Sequence, residues 1–217
     1  MKLILACLLA VLPLLGCAST AADRHDGARN TLDQTNELSD ALQKSKQQVQ
    51  TTLTALERLP NSGTNLAGDF RDLSKQIRRM NDTADDVAEQ RGAMRQQFAK
   101  YQEHWYGDMI ELDNATLRQA AQERLEVVRQ DFDALDPAYR DLQGAYDPFL
   151  AHLDEIRTYL ANDTTMPAVR KMVPTFEEAR QSAADLRTAM DQLLIELRQF
   201  NESLKPETSG QGEQPAS

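Results

Sequence analysis

"LAGDFRDLSKQIRRMNDTADDVAEQRGAMRQQFAKYQEHWYGDMIEL", residues 66–112, decides the fold. Stepping from Leu66 by alternating fours and threes lands on Phe70, Leu73, Ile77, Met80, Ala84, Val87, Arg91, Met94, Phe98, Tyr101, Trp105, Asp108 and Leu112. All but Arg91 and Asp108 are apolar or aromatic. A 3.5-residue period held this long describes a helix that buries one seam against other helices. At 1.5 Å per residue that helix is roughly 70 Å long, too long to be the core of a round domain.

Toward the N-terminus, "PNSG" at residues 60–63 is a breaker cluster that ends a preceding helix. Its seam is Leu38, Leu42, Val49, Leu56 and Leu59, interrupted by Ser45 and Thr52, so it reads as polar-leaning and weak. The helical pattern starts near Thr31, and residues 17–30 read as a small, polar tether.

Toward the C-terminus the phase jumps near "LDNATLRQ", residues 112–119, where Asn114 or Thr116 caps a new helix. Its seam runs Leu117, Ala121, Leu125, Val128, Phe132, Leu135, Tyr139, Leu142, Tyr146, Phe149, Leu153, Ile156, Leu160, with a stutter after Ala121. Pro137 and Pro148 interrupt it without changing its phase, which predicts kinks rather than reversals, a break at Asp136-Pro137 being the alternative. "NDTTMP", residues 162–167, is the next turn, with Thr164 or Thr165 as cap. The last seam is Val169, Val173, Phe176, Ala183, Leu186, Met190, Leu193, Leu197, Phe200 and Leu204, and Pro174 suggests a helix restart. Residues 206–217 carry the composition of a disordered tail.

All six phenylalanines lie on these seams. The prediction is an all-α, elongated antiparallel bundle of about four helices over residues 31–205, up-down-up-down, the middle two projecting as a two-helix extension.

Residues 1–16 combine Lys2, an apolar stretch too short to span a bilayer and a small-residue end, the marks of a secretory signal. Leu14-Leu15-Gly16-Cys17 resembles the bacterial lipoprotein signal. The resemblance implies acylation of Cys17 with palmitate-type chains, and the absence of Asp after the cysteine implies the outer membrane, facing the periplasm. More than one chain makes a stable anchor. Cys7 falls inside the signal, so Cys17 is the one cysteine left after cleavage.

"DNATLRQAAQERL", residues 113–125, and "AYDPFLAHLDEIRTYLANDTTMPAVRKM", residues 145–172, resemble a family of bacterial lipoproteins catalogued as a domain of unknown function and best known from gammaproteobacteria. The resemblance extends over residues 66–200 and implies the fold and the address, not a reaction.

The formal net charge is −10, the wrong sign for nucleic acid. Catalytic and metal motifs are lacking: Glu-x-x-His, His-Glu-x-x-His, Gly-x-Ser-x-Gly and phosphate-cradling glycine loops do not occur. His104 has Asp108 and Glu111 on its face, and His152 has Asp154 and Glu155 nearby, spacings that solvated helix faces produce by chance. No catalytic residue, cofactor or metal is therefore assigned, and an enzyme is not expected. Arg91 reads as snorkelling its head to water, the alternative being a register lock or partner contact.

"FAKYQEHWY", residues 98–106, is the densest aromatic patch. One reading packs Phe98, Tyr101 and Trp105 in the core with Tyr106 exposed. The other makes Tyr101, His104, Trp105 and Tyr106 a partner surface, expected at the end far from the tether. The functional expectation is a lipid-anchored binding or scaffolding module with an envelope protein partner. The alternatives are a lipid or small-hydrophobe carrier and a self-assembling homo-oligomer.

Overall fold

The computed structural model describes residues 19–205. The signal at 1–16, Cys17 and the tail at 206–217 lie outside the described residues. Six helices follow in order: α1 (Ser19–Arg58), α2 (Leu66–Ile110), α3 (Ala115–Asp133), α4 (Leu135–Asn162), α5 (Met166–Lys171) and α6 (Val173–Leu204). Single residues, Ala134 and Met172, separate α3 from α4 and α5 from α6, so the six make four rods in an all-α bundle. No strand occurs among the described residues. The most extensive pairings are α1 with α2 and α4 with α6; α1 on α6 and α2 on α4 close the ring.

The seams form the core. Leu42, Val49, Leu56, Leu73, Met80, Phe149, Phe176 and Phe200 are fully buried, each side chain contributing about 1.5–3 kcal/mol by leaving water. The weak seam of α1 is buried too: Thr31, Thr35, Ser45 and Thr52 are all at 0 % exposure. Three of them satisfy their hydroxyls inside the helix. Thr31 donates to the Gly27 carbonyl at 2.9 Å, Thr35 to Thr31 at 2.8 Å and Thr52 to Gln48 at 2.8 Å. Their small size lets α2 lie close.

Ala21, Ala22 and Ala28 are strong helix formers, and α1 starts at Ser19 rather than near Thr31. The stretch read as a tether is helical from residue 19 on. Gly27 faces α2 so closely that a Cβ there would stand 3.6 Å from the Tyr101 ring. The projecting end is therefore not a two-helix extension, because α1 accompanies α2 and α3 there.

The turns follow their breakers. Gly63, the first residue of the second of two short 3₁₀ turns, takes φ +53°, a conformation glycine adopts freely. Asn114, not Thr116, caps α3, its Oδ1 accepting from the backbone N–H of Thr116 at 2.9 Å and Leu117 at 3.2 Å. Thr165, not Thr164, caps α5.

Proline has no N–H, so Pro137 leaves the Asp133 carbonyl without an intrahelical partner, and α3 ends at Asp133. Pro174 does the same to Arg170, and α5 ends one residue later. Ala134 stays right-handed at φ −65°, so the chain kinks without reversing. Helix α4 runs through Pro148 unbroken. Val173, expected on the last seam, is 40 % exposed because the break at Met172 turns it outward, and Met172 itself is buried.

Candidate functional site

The aromatic patch divides into a core half and a surface half. Phe98 stacks on Phe132 with centroids 3.9 Å apart, and Phe200 packs edge-on against both at 5.3 Å. Tyr101 lies 6.0 Å from Phe98 and meets Trp105 edge-on at 5.5 Å. The column thus runs from the bundle interior toward the end of α2, joining α2, α3 and α6.

Tyr101 is only 5 % exposed. It is not a surface residue, because α1 covers it at Gly27. Burial pushes its phenol up to about 12, against the opposing charge of Arg124. Trp105 is half-buried, while His104 and Tyr106 are exposed. Of the four residues expected as a partner surface, three reach solvent. Trp105 lines a small cleft of about 100 Å³ with Met109, Leu112 and Ala121, and Tyr106 borders a wider one against Gln122 and Glu126 of α3.

Two apolar residues that sequence reasoning did not place at the site complete it. Ile110, the last residue of α2, is 76 % exposed, and Leu117, in the first turn of α3, is 57 % exposed. Leu117 was expected on a buried seam, and α6 is too short to cover it. Arg124 of α3 donates to the carbonyls of Ser203 and Lys205, holding the C-terminal end of α6 in place. Among the described residues, α1, α2 and α3 alone continue beyond that level. The available signals were Ile110 falling off its seam beside a turn and the unequal helix lengths.

The antiparallel order also moves the patch. Helix α1 leaves the N-terminal end and α2 returns to it, so this tip lies beside the start of α1. The patch was expected at the opposite end; the far end is formed by the turns at residues 59–65 and 162–172.

A family described as a protein of unknown function, DUF2959, matches residues 27–204. The chain belongs to this family. Neither the curated proteins nor the solved structures contain a match to it. The DUF2959 match begins inside α1, well before residue 66, and ends on the last residue of α6. The family's domain therefore includes the turn at residues 111–114 and all of the bundle except the first eight residues of α1.

Elsewhere in the DUF2959 bundle, polar side chains tie helices together. Arg91 does not simply reach for water. Its Nη2 donates to Asp136 Oδ1 at 2.9 Å and its guanidinium lies 3.8 Å over the Tyr139 ring, linking α2 to α4. His152 turns to α6, its Nδ1 3.0 Å from Ser182 Oγ and its Nε2 3.9 Å from Glu178. The Ser182 hydroxyl is buried and donates to the Glu178 carbonyl at 2.6 Å. That geometry locks a helix pair rather than arming a nucleophile. A hollow of about 720 Å³ is a surface groove between α1 and α2 lined by Lys44, Arg79, Asp82, Asp86 and Glu89 among others. Among the described residues no group of three His, Cys, Asp or Glu is placed to hold a metal, and no helix is long and apolar enough to cross a membrane.

Proposed function

We propose that the chain is a lipid-anchored, non-catalytic bundle of the cell envelope, acting as a binding or scaffolding module. The observation that carries this is Leu14-Leu15-Gly16-Cys17, set directly ahead of a rod that starts at Ser19. Acyl chains on Cys17 hold one end at the outer membrane, on the periplasmic side. The rod, roughly 70 Å long at 1.5 Å per residue, then carries the turns at 59–65 and 162–172 away from the bilayer. Those turns, exposed at Thr64 and Asp163, are the place for an envelope protein partner. A small-hydrophobe carrier would need an apolar hollow between the helices. Here Phe98, Phe149, Phe176 and Phe200 fill the interior, which favours the rod. The seam of α1 is likewise spent on α2, so the weak helix has no need of a second copy.

In-cell photo-crosslinking from Thr64 and Asp163, with Tyr106 for comparison, tests the reading. The expected result is capture of one envelope protein from the far end, abolished by Cys17→Ala, with acylated Cys17 found by mass spectrometry of the N-terminal peptide. An unacylated Cys17, or no capture from either far turn, would overturn it.

A further inference from the structure

Among the described residues, the tip formed by the end of α2, the turn at residues 111–114 and the start of α3 carries the two most exposed large apolar side chains. Ile110 and Leu117 flank the turn, and Tyr106 stands one helical turn behind, 50 % exposed. Trp105, Met109 and Leu112 line the cleft beneath. Exposed apolar patches of this kind mark contact with a partner or a lipid surface. Trp and Tyr beside aliphatic residues match the gradient of a bilayer, in which aromatic rings sit at the headgroup level and aliphatic chains go deeper.

The chain ahead of α1 names the occupant. Helix α1 continues eight residues past Gly27, and α2 nine past Tyr101, the pair that meets between the two helices. At 1.5 Å per residue they rise about 12 and 14 Å, so Ser19 and Ile110 end level. One residue, Ala18, separates Ser19 from Cys17, a reach of about 7 Å. With the stretch from residue 19 wound into helix there is no slack to stand the tip off from the anchor. The flanking charges Glu103, Asp108, Glu111 and Asp113 outnumber Lys100 and Arg118. They would be repelled by an anionic surface and tolerated by a neutral one.

We propose that this tip docks on a zwitterionic lipid bilayer, Ile110 and Leu117 entering the acyl region and Trp105 and Tyr106 lying at the headgroups. It rests on the lipid anchor at Cys17. Docking at a second point turns a single-point attachment into an oriented mount, with the rod standing away from the membrane.

Trp105 is the only tryptophan in the chain, so its fluorescence reports on the tip alone. The acylated full-length protein, reconstituted in phosphatidylcholine–phosphatidylethanolamine vesicles, is floated on a density gradient and its emission measured with and without brominated lipid. The expected result is flotation together with a blue shift and strong quenching. Ile110→Asp with Leu117→Asp should float equally and lose the quenching, its far-UV circular dichroism unchanged. Flotation without quenching in the natural chain keeps the anchor and overturns the docking. Loss of flotation overturns the anchor, and the docking with it. Quenching that survives both substitutions overturns the assignment to this patch. An unquenched dimer that the substitutions dissociate would give the face to a second copy of the chain.

Discussion

At the residue scale, the interior is specified by a few polar contacts set among many apolar ones. Ser45 meets Tyr146 Oη at 2.7 Å and Thr83 Oγ1 at 3.2 Å, a buried contact joining α1, α2 and α4. Tyr146→Phe removes one partner and leaves Ser45 the other, so urea unfolding should show a loss of about 1–2 kcal/mol. Burial also pushes the Tyr146 phenol from 10.0 up to about 12, the Ser45 bond acting against it. A raised folded value means that the contribution of neutral Tyr146 is complete below pH about 10 and is lost as pH rises through about 12. Circular dichroism across that window should show the natural chain losing stability faster than Tyr146→Phe. Arg91 gives a second test. Its guanidinium lies over Tyr139 and pairs with Asp136. Arg91→Ala should therefore cost about 1–2 kcal/mol, and Asp136→Asn less than about 1, since Asp136 is half exposed.

At the element scale, caps and prolines set the boundaries. Asn114→Ala frees the N–H groups of Thr116 and Leu117, which should cost about 1 kcal/mol and speed hydrogen exchange at those two amides while α4 is unchanged. The heptad seams were legible because a 3.5-residue period leaves one way for each helix to hide its apolar stripe. Phe98, Leu142 and Leu197 are buried as that period requires. The start of α1 was not legible, because residues 19–30 have helix-forming alanines but no apolar repeat to mark a face. The helix breaks fall ahead of Pro137 and Pro174 because the group left without a partner is the carbonyl four residues earlier. The sequence leaves Arg91 open between a solvated head and a register lock because its partner Asp136 is 45 residues away, and no local pattern points to it.

At the scale of the whole molecule, the bundle is a rod with two unlike ends. Small-angle scattering of the chain should give a radius of gyration well above the roughly 16–17 Å of a round domain of about 200 residues. The half-buried state of Trp105 and the exposure of Tyr106 followed from their places on and off the seam. Leu117 did not, because its exposure depends on where α6 stops, and a repeat within one helix carries no information about the length of another. The membership of residues 27–204 in one family fits a domain in which no rod buries its stripe alone.

The clamp of Arg124 on the last carbonyls of α6 has a consequence for connectivity. It places the end of α6 at the end of the bundle where α1 begins, and Asn201 of α6 lies 3.4 Å from Asn36 of α1. The opposite end is formed by the connections at residues 59–65 and 162–172, the first with the exposed Gly63 at positive φ. Circular permutation is therefore open to this chain. A flexible linker from Leu204 to Ser19, with new termini between Ser62 and Gly63, leaves all four rods and their seams in place. Such a permutant should keep the helical spectrum and cooperative melting of the natural chain, and a lipid attached to its new N-terminus would put the opposite end of the rod at the bilayer from the one proposed for the natural chain.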